Sequence, residues 1–473
     1  MQTTRPSLEN FRAPRAIFWT ALALRLACIL IGHTYRIRVD QQHFNFGFEA
    51  GRIARSFVTG HGYANPFNGT SGPTAWLPPL YPLLIALAFK LFGIYTNSAA
   101  LFLLACNSLF SAAIAPAIYE LAARIFDAQG IARRTSKHAA PVALWAAWLW
   151  AVYPAALQYA IHWIWEMSLS TCLFTWTLVL ALRLRHTGES KLEAGSSKLA
   201  AQSQNRPPQP SQRSRQDLLL WSTFGLLWGL VALSNASLLL VLPATILWIL
   251  WPTLKQLQQN QPHAFKSGIV GAALTTAIFF ATLTPWILRN EAALHAFIPT
   301  RDNFGVELYK STLAETGSLP WGTSLPLWTG DPEFQSFVNM GEVAYSQAKS
   351  RQAKATIHAH PGIFAKRTLD RFLFFWDGTP HSPEPHPSQE YLRQLSYSFL
   401  SLCGLLGLIL ALKRRVPSIG LFALAFLLIP LPYYLVSVQP RFRHPLEPLI
   451  AILAVYLFRS TQPRAATQRK ATQ

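Results

Sequence analysis

Long apolar runs alternate with short polar segments along the whole chain. Ten of these runs approach the length of a bilayer-spanning helix, which needs roughly 20 mostly apolar residues. They are 16–34, 97–123, 140–158, 167–182, 218–234, 237–252, 268–288, 396–412, 416–435 and 446–458. This pattern predicts an all-α, polytopic membrane protein.

An eleventh run, 79–93, is ambiguous because it follows several prolines and contains Lys90. If it is an interfacial or re-entrant segment and the N-terminus is cytoplasmic, the cytoplasmic segments hold 23 Lys and Arg against 5 Asp and Glu. If it crossed, every later basic segment would lie outside. Because Lys and Arg resist translocation, we predict ten crossings with both termini in the cytoplasm.

The composition excludes a soluble protein. Hydrophobic residues make up 51% of the chain and charged residues 13%, about half of the usual share of roughly 25%. So few charges cannot cover a surface exposed to water. The net charge of +20 is explained by the basic cytoplasmic segments, so no nucleic-acid partner is predicted. The four cysteines lie far apart in apolar runs and are predicted to be small buried residues.

The topology divides the chain into six parts. An N-terminal module is followed by a disordered cytoplasmic linker, a group of transmembrane helices, a periplasmic loop region, C-terminal transmembrane helices and a basic cytoplasmic tail. Their bounds are 1–182, 183–217, 218–288, 289–395, 396–458 and 459–473. The linker is rich in Ser, Gln, Pro and Lys, which favours disorder. The tail is expected to contact anionic lipid head groups.

The first outer loop, about 35–95, contains a predicted amphipathic helix that ends at Gly60. It would lie in the membrane interface and hold Glu49 at the boundary of water and lipid. The predicted apolar side carries Phe48, Ile53, Ala54 and Phe57, and the polar side carries Glu49, Arg52 and Ser56. Glu49 and Arg52 are three residues apart and could also be an ordinary surface pair.

A proline-rich arm, GTSGPTAWLPPLYP, follows that helix and should be rigid and non-helical until a short helix begins. Its Trp76 and Tyr81 suit stacking on a sugar, or membership of an interfacial aromatic belt. Glu166, in the short second outer loop beside His162, starts a predicted helix whose dipole would stabilise a carboxylate. Alternatively, Glu49 and Glu166 could face each other across a cavity and, with His162, hold a divalent cation.

Several cations lie where lipid would penalise an unpaired charge. Arg441, Arg443 and His444 come just before the last span, where Arg could bind a substrate phosphate or snorkel to lipid phosphates. Arg289 closes another span and is a further candidate for binding the substrate. Arg25 lies within the first span and is predicted to face the bundle interior or a wet cavity. Acids, phosphate-suited cations and aromatic residues at one membrane face suit a reaction on a lipid-phosphate-linked sugar.

The order of several motifs resembles a known superfamily. An N-terminal helix, an outer loop with an acid, PPLYPLL…KLFG and a helix ending in YELAARIF are followed by TPWILRN and RFRHPLEP. This order resembles the GT-C superfamily of membrane glycosyltransferases. Within it, the chain is most similar to dolichyl-phosphate-mannose–protein mannosyltransferases (glycosyltransferase family 39) and the bacterial aminoarabinose lipid A transferase. The resemblance covers most of the chain and is strongest over about 16–182.

The resemblance implies a GT-C-like bundle of about 10 transmembrane helices, with interfacial helices in the first outer loop and a large periplasmic loop. It implies transfer of a sugar, with inversion, from a polyprenyl-phosphate donor to a periplasmic lipid, glycan or protein acceptor, in a bacterial inner membrane. The family's first-loop acid maps onto Glu49 or Asp40, since the usual adjacent acidic pair is absent, and its second-loop acid onto Glu166. Arg441 and Arg443 would lie near the donor phosphate. Arg52 and Arg55 are further candidates.

Two other functions remain open. A transporter or flippase for a lipid-linked sugar would usually show internal repeats and polar sites at the membrane midplane. In this chain most acids outside the cytoplasmic segments lie in outer loops instead. An inactive scaffold of the same fold is the second alternative, because the acidic pair is missing.

Overall fold

The computed structural model describes residues 14–37, 44–127, 142–200, 212–257, 262–313, 329–379 and 387–460. Within these ranges the chain is helical, and the one β-contact is an isolated bridge between Ala64 and Pro73. The predicted all-α fold class is therefore confirmed.

The α-helices of the described residues range from 5 to 34 residues in length. The first half contains α1 (Pro14–Ile31), α2 (Glu49–Val58), α3 (Leu80–Phe92), α4 (Asn97–Ala122), α5 (Val142–Val152), α6 (Pro154–Ile161), α7 (Met167–Ala200) and α8 (Gln212–Ala232). The second half contains α9 (Val241–Leu257), α10 (Pro262–Leu294), α11 (Phe304–Lys310), α12 (Pro332–Met340), α13 (Glu342–Ala359), α14 (Pro361–Asp377), α15 (Pro387–Lys413), α16 (Gly420–Leu428), α17 (Leu431–Leu435) and α18 (Glu447–Ser460).

Within the described ranges, five helices are long and apolar enough to cross a membrane, and the chain is a multi-pass membrane protein. They are Pro14–Ile31, Asn97–Asp127, Met167–Thr187, Ser267–Leu294 and Glu390–Lys413. Two of the other predicted spans are broken: 140–158 divides into α5 and α6 at Pro154, and 416–435 divides into α16 and α17. Proline ends a helix because it lacks an N–H and clashes with the preceding turn. The total of ten crossings therefore stays a prediction.

The bundle has two distinct ends, which side-chain contacts identify. At one end the Asn107 amide donates to the Trp163 carbonyl (2.9 Å). At the other, the Arg183 guanidinium pairs with Glu120 (2.9 Å), and Arg185 donates to the Trp248 carbonyl (2.6 Å). We call the first the outer end, because it holds both predicted outer loops.

The ambiguous segment 79–93 forms α3, and both of its ends lie at the outer end. The Leu80 N–H donates to the carbonyl of Leu233 (3.0 Å), the residue that directly follows α8. Near the other end, Phe89 packs on Phe46 of the first outer loop, with ring centroids 5.8 Å apart. A crossing helix would separate these contacts by the thickness of the bilayer. The packing therefore agrees with an interfacial segment that does not cross.

The predicted disordered linker, 183–217, is wrong in part. Helix α7 continues to Ala200 and α8 begins at Gln212, so 183–200 and 212–217 are helical, whereas 201–211 lie outside the described residues. Extending an existing helix avoids the cost of nucleation, and this lets α7 run into the polar sequence beyond its apolar part. The tail is described only to Ser460.

Arg25 faces the bundle interior, as predicted, and its partners are now evident. Its side chain is fully buried. It donates to Ser111 Oγ (3.1 Å) on α4 and to the carbonyls of Ala151 (3.1 Å) and Trp150 (3.3 Å) at the end of α5. The last carbonyls of a helix have no partner within that helix and carry partial negative charge. Arg25 therefore caps α5 and joins α1, α4 and α5.

We expect Arg25→Met to destabilise the bundle by about 1–3 kcal/mol, because it leaves the α5 carbonyls without their buried donor. Thermal and chemical unfolding in detergent measures this change. Arg36→Met is the matched control, because Arg36 is exposed. Equal stability of the two variants would contradict the proposed cap.

Candidate functional site

A cavity of about 1000 Å³ opens at the outer end of the bundle. It brings together residues from both outer loops, from α11 and from the segment before α18. Its acidic residues are Glu49, Glu166, Glu307 and Glu447, and its basic residues are Arg301, Lys310, Arg371, Arg393 and Arg441. Aromatic residues, among them Trp76, Tyr159, Trp163, Trp165 and Tyr433, line the space between them. The cavity thus combines the three residue types that the sequence predicted at this face.

Glu49 reaches the cavity because the first outer loop approaches the second very closely. A Cβ on Gly47 would lie 2.6 Å from the Ile164 carbonyl, so only glycine fits there, and Gly47 also has a φ of +78°. Phe48 follows with a φ of 50°, and α2 begins at Glu49. The carboxylate therefore lies at a helix N-terminus, where the dipole favours negative charge.

The faces of α2 differ from those predicted. Arg52 and Ser56, expected on the polar side, are buried, whereas Phe57, expected on the apolar side, is 47% exposed. The Arg52 guanidinium lies 4.5 Å from the centre of the Phe48 ring, which lets a charged residue occupy the packed side. Arg52 and the half-buried Arg55 do not line the cavity.

Arg441 connects the second outer loop to the C-terminal part of the bundle. Its guanidinium lies 3.9 Å from the centre of the Trp165 ring, next to Glu166 in sequence. It also interacts electrostatically with both Glu166 and Glu49. Glu166 directly precedes α7, and its carbonyl accepts a bond from the Ser170 N–H (2.8 Å). Glu49, Glu166 and Arg441 therefore line one cavity, although they are remote in sequence.

Removal from water shifts the ionisation of two of these groups. Burial raises the pKa of Glu49, and the positive charges of Arg441, Lys310 and Arg52 only partly oppose it. Burial lowers the pKa of Arg441, against the effect of Glu166 and Glu49. A carboxylate with a raised pKa is a stronger base than one in water, which suits it to removing a proton.

Two predicted substrate-binding cations bind protein groups instead of lining the cavity. Arg289 donates to the carbonyls of Thr74 (2.6 Å) and Tyr63, and so attaches the proline-rich arm to α10. Arg443 is fully buried and pairs with Glu447 (2.6 Å). It also bonds Ser401 Oγ.

Three further predicted residues lie outside the cavity lining, and a fourth is not described. His444 is buried between the rings of Tyr159 (4.8 Å) and Trp150 (5.7 Å). Tyr81 is buried and bonds Asn107, and His162 is exposed at the end of α6. Asp40 lies outside the described residues. Trp76 does line the cavity.

Several cavity residues were missed by sequence reasoning. Asn303, Glu307, Lys310 and Ser311 form one stripe on α11 and its flanks. Their spacing of three to four residues is the helical period, a signal that the sequence RDNFGVELYK does contain. Arg371, Arg393 and Tyr433 come from three separate helices and have no local pattern that would identify them.

The described residues do not fit the divalent cation that Glu49, Glu166 and His162 suggested. No group of three or more His, Cys, Asp or Glu in the described ranges could hold a metal ion. His162 lies outside the cavity, and Glu49 and Glu166 already interact with the cation Arg441. We therefore derive no chemical step through a metal.

The proline-rich arm is non-helical up to α3, as predicted, and a buried carboxylate fixes it. Glu342, at the start of α13, accepts bonds from the Ala75 N–H (2.6 Å) and from Thr74 Oγ1. Burial raises the pKa of Glu342 to about 7, and the nearby carboxylate of Asp302 adds to the shift, while Thr74, Ala75 and Arg289 oppose it. Burial likewise raises the pKa of Asp302 to about 7.

Comparison with known proteins found similar structures but no similar sequences. No protein-family model and no curated protein matches the chain. An oligosaccharyltransferase from Archaeoglobus fulgidus, solved with Zn and sulfate, is 14% identical over 93% of this chain and 48% of its own, with a TM-score of 0.47. Undecaprenyl-phosphate-bound ArnT from Cupriavidus metallidurans is 14% identical over 92% of this chain and 77% of its own, with a TM-score of 0.31.

A third structure, the archaeal oligosaccharyltransferase AglB from Archaeoglobus fulgidus with an inhibitory peptide and a dolichol-phosphate, is 14% identical over 94% of this chain and 50% of its own, with a TM-score of 0.46. The chain thus spans about half the length of the archaeal structures. The identities and TM-scores of these structures describe a similarity in the arrangement of helices only.

The buried carboxyls of Glu342 and Asp302 should make stability depend on pH. Their folded pKa lies above the unfolded one, so the folded state holds more protons between about pH 4 and 7. Stability should therefore fall as pH rises through this window. We expect the melting temperature in detergent to fall less steeply for Glu342→Gln than for the wild type.

Glu291→Gln serves as the control for this measurement, because Glu291 is exposed at the outer end of α10. Its melting temperature should follow the wild-type pH dependence. Parallel curves for the wild type and Glu342→Gln would show that Glu342 has the same pKa in the folded and unfolded states, which would contradict the raised pKa.

Proposed function

We propose that this protein is an integral membrane glycosyltransferase that moves a sugar from a polyprenyl-phosphate donor to an acceptor hydroxyl. One observation carries the proposal: Glu49, Glu166 and Arg441 line a single aromatic-rich cavity at the outer end of the bundle. A carboxylate can take a proton from the acceptor, and a guanidinium can stabilise the departing phosphate. Aromatic faces can stack on the sugar.

The proposed reaction is a single displacement at the anomeric carbon. Glu49 removes the proton of the acceptor hydroxyl, whose oxygen forms the new bond to the anomeric carbon. The bond between that carbon and the phosphate oxygen breaks on the opposite side, so the configuration inverts. The polyprenyl phosphate leaves with the electron pair, and Arg441 stabilises its charge. Glu166 interacts with Arg441 and positions it.

The cavity wall offers a route for a lipid substrate. Leu149, at the end of α5, and Phe399, on α15, both line the cavity. Phe399 is 54% exposed and continues an apolar surface on α15 that includes Leu392 and Leu395. A polyprenyl chain can lie against this surface in the bilayer while its phosphate enters the cavity.

The orientation in the membrane belongs to the same proposal. The segments at the end of the bundle opposite the cavity carry most of the positive charge, which favours the cytoplasm. The cavity would then face the periplasm of a bacterial inner membrane, where polyprenyl-phosphate sugars meet lipid, glycan or protein acceptors.

Purified protein in proteoliposomes with radiolabelled undecaprenyl-phosphate sugars and periplasmic lipid and glycan acceptors tests the proposal. A glycosyltransferase releases undecaprenyl phosphate and labels an acceptor. A transporter moves the intact lipid between leaflets, and an inactive scaffold does neither. Movement without cleavage for every sugar tested would overturn the proposal.

Glu49→Gln should lower the turnover number by about 10²–10⁴, the usual contribution of a general base. Because burial raises the pKa of Glu49, wild-type turnover should fall as the pH is lowered through that raised pKa. Glu291→Gln is the control and should keep wild-type turnover. If Glu49→Gln is fully active while Asp40→Asn or Glu166→Gln is inactive, Glu49 is not the base.

Reporter fusions test the orientation. We expect fusions after Ala200 and Arg414 to report the cytoplasm, and a fusion after Met340 to report the periplasm. Paired alkaline phosphatase and green fluorescent protein reporters give opposite signals at each site. A cytoplasmic result at Met340 would place the cavity on the wrong side for the proposed donor.

A further inference from the structure

Asn303 is a buried polar residue whose side chain is not used by the fold. It occupies the N-cap position of α11, where an Asn side chain ordinarily accepts a bond from a helix N–H. Here it makes no such bond, and its Oδ1 is buried without a hydrogen-bond partner among the described residues. The residue is 4% exposed and lines the cavity. Leaving a buried acceptor unpaired costs free energy, which a bound ligand can recover.

Trp76 lies beside Asn303 on the cavity wall. The Asp302 N–H donates to the Ala75 carbonyl (3.0 Å). Because Asn303 follows Asp302 and Trp76 follows Ala75, this bond holds the backbones of Asn303 and Trp76 close together. Trp76 is 3% exposed and packs edge-to-face on Phe67 (4.9 Å). Its position is fixed by packing, and it needs no ligand to order it.

Asn303 is held equally firmly from the side away from the cavity. A Cβ on Gly305 would lie 2.2 Å from the Ser346 carbonyl, so α11 and α13 are in backbone contact. Ser346 Oγ donates to the Asp302 carbonyl (2.7 Å). The pair of Trp76 and Asn303 is therefore preorganised, and preorganisation reduces the entropy lost when a ligand binds.

The chemistry of this pair differs from that of the Arg441 region. An unpaired carbonyl oxygen accepts a bond from a hydroxyl or amine and repels a phosphate. The indole of Trp76, although largely buried, also contributes to the cavity lining and makes the wall there apolar. Asn303 also shares one face of α11 with Lys310, which interacts with Glu49. The pair thus lies along the same cavity surface as the proposed reacting groups.

We infer that Trp76 and Asn303 form the subsite that recognises the sugar of the lipid-linked donor, with Asn303 Oδ1 accepting a bond from a sugar hydroxyl or amine. This inference rests on the proposed function, because it assigns the donor sugar to one part of the same cavity. It makes Asn303 a specificity-determining residue. A site built to bond a hydroxyl strongly rejects a ligand that lacks it.

The test compares affinities for lipids with and without a sugar. The full-length protein in nanodiscs is titrated with undecaprenyl phosphate and with undecaprenyl phosphate carrying glucose, mannose, galactose or 4-amino-4-deoxyarabinose. The wild type should bind at least one sugar-bearing lipid more tightly than undecaprenyl phosphate. Asn303→Ala should reduce that preference about tenfold or more, the loss of one buried hydrogen bond. Its affinity for undecaprenyl phosphate should stay unchanged.

Two further variants separate recognition from folding. Asn303→Asp keeps the acceptor oxygen and should keep most of the preference. Asn339→Ala is the control, because Asn339 is exposed on α12. The ratio of two affinities measured on one sample does not depend on the folded fraction. A wild type without preference for any of these sugars, or an Asn303→Ala variant with an unchanged ratio, would overturn the inference.

The result of these affinity measurements does not depend on whether the protein shows turnover. If no lipid supports transfer but Asn303→Ala still removes the preference for a sugar, the proposed enzymatic function fails and the sugar subsite stands. If transfer occurs and the ratio is unchanged, the function stands and the subsite is wrong.

Discussion

The structure depends on one constraint: a guanidinium buried in an apolar bundle must be surrounded by oxygen atoms or aromatic rings. Several arginines therefore join segments that are remote in sequence. Arg25 joins α1 to the end of α5. Arg371 donates from α14 to the Tyr434 carbonyl on α17 (2.7 Å). Arg289 holds the proline-rich arm against α10. These contacts fix the helix ends and loops that surround the cavity.

Arg441 satisfies the same constraint in a different way. Its guanidinium stacks on Trp165 and interacts with Glu166 and Glu49, all of which line the cavity. A guanidinium that bonds backbone carbonyls cannot leave them without exposing unpaired acceptors. A guanidinium whose positive charge is balanced by carboxylates in an open cavity can turn toward an arriving phosphate. This difference separates Arg441 from Arg443, two residues away, whose charge is neutralised by Glu447 inside the bundle.

Hydropathy was sufficient to predict the long apolar helices because the bilayer leaves the backbone few alternatives. It also predicted that Glu49, Glu166 and Arg441 lie at one end. It could not show that Arg443 and His444 are buried away from the cavity lining. Whether such residues point into the cavity or into the protein depends on packing between α15 and α18, and the local sequence does not encode that packing. The stripe from Asn303 to Lys310 was in principle readable from its helical spacing. The cavity positions of Arg371 and Arg393 could not be predicted from the sequence, because only the tertiary fold brings these residues to the cavity.

The presence of two carboxylates around one guanidinium has a consequence for the proposed reaction. In the structure described, Arg441 interacts electrostatically with both Glu49 and Glu166, and its positive charge partly opposes the effect of burial on Glu49. A phosphate that binds Arg441 competes for the same positive charge, so Glu49 loses part of its stabilisation. The pKa of Glu49, already raised by burial, would then rise further, and Glu49 would become a stronger base. Donor binding would in this way activate the base for the acceptor, and an acceptor entering alone would meet a carboxylate still held by Arg441.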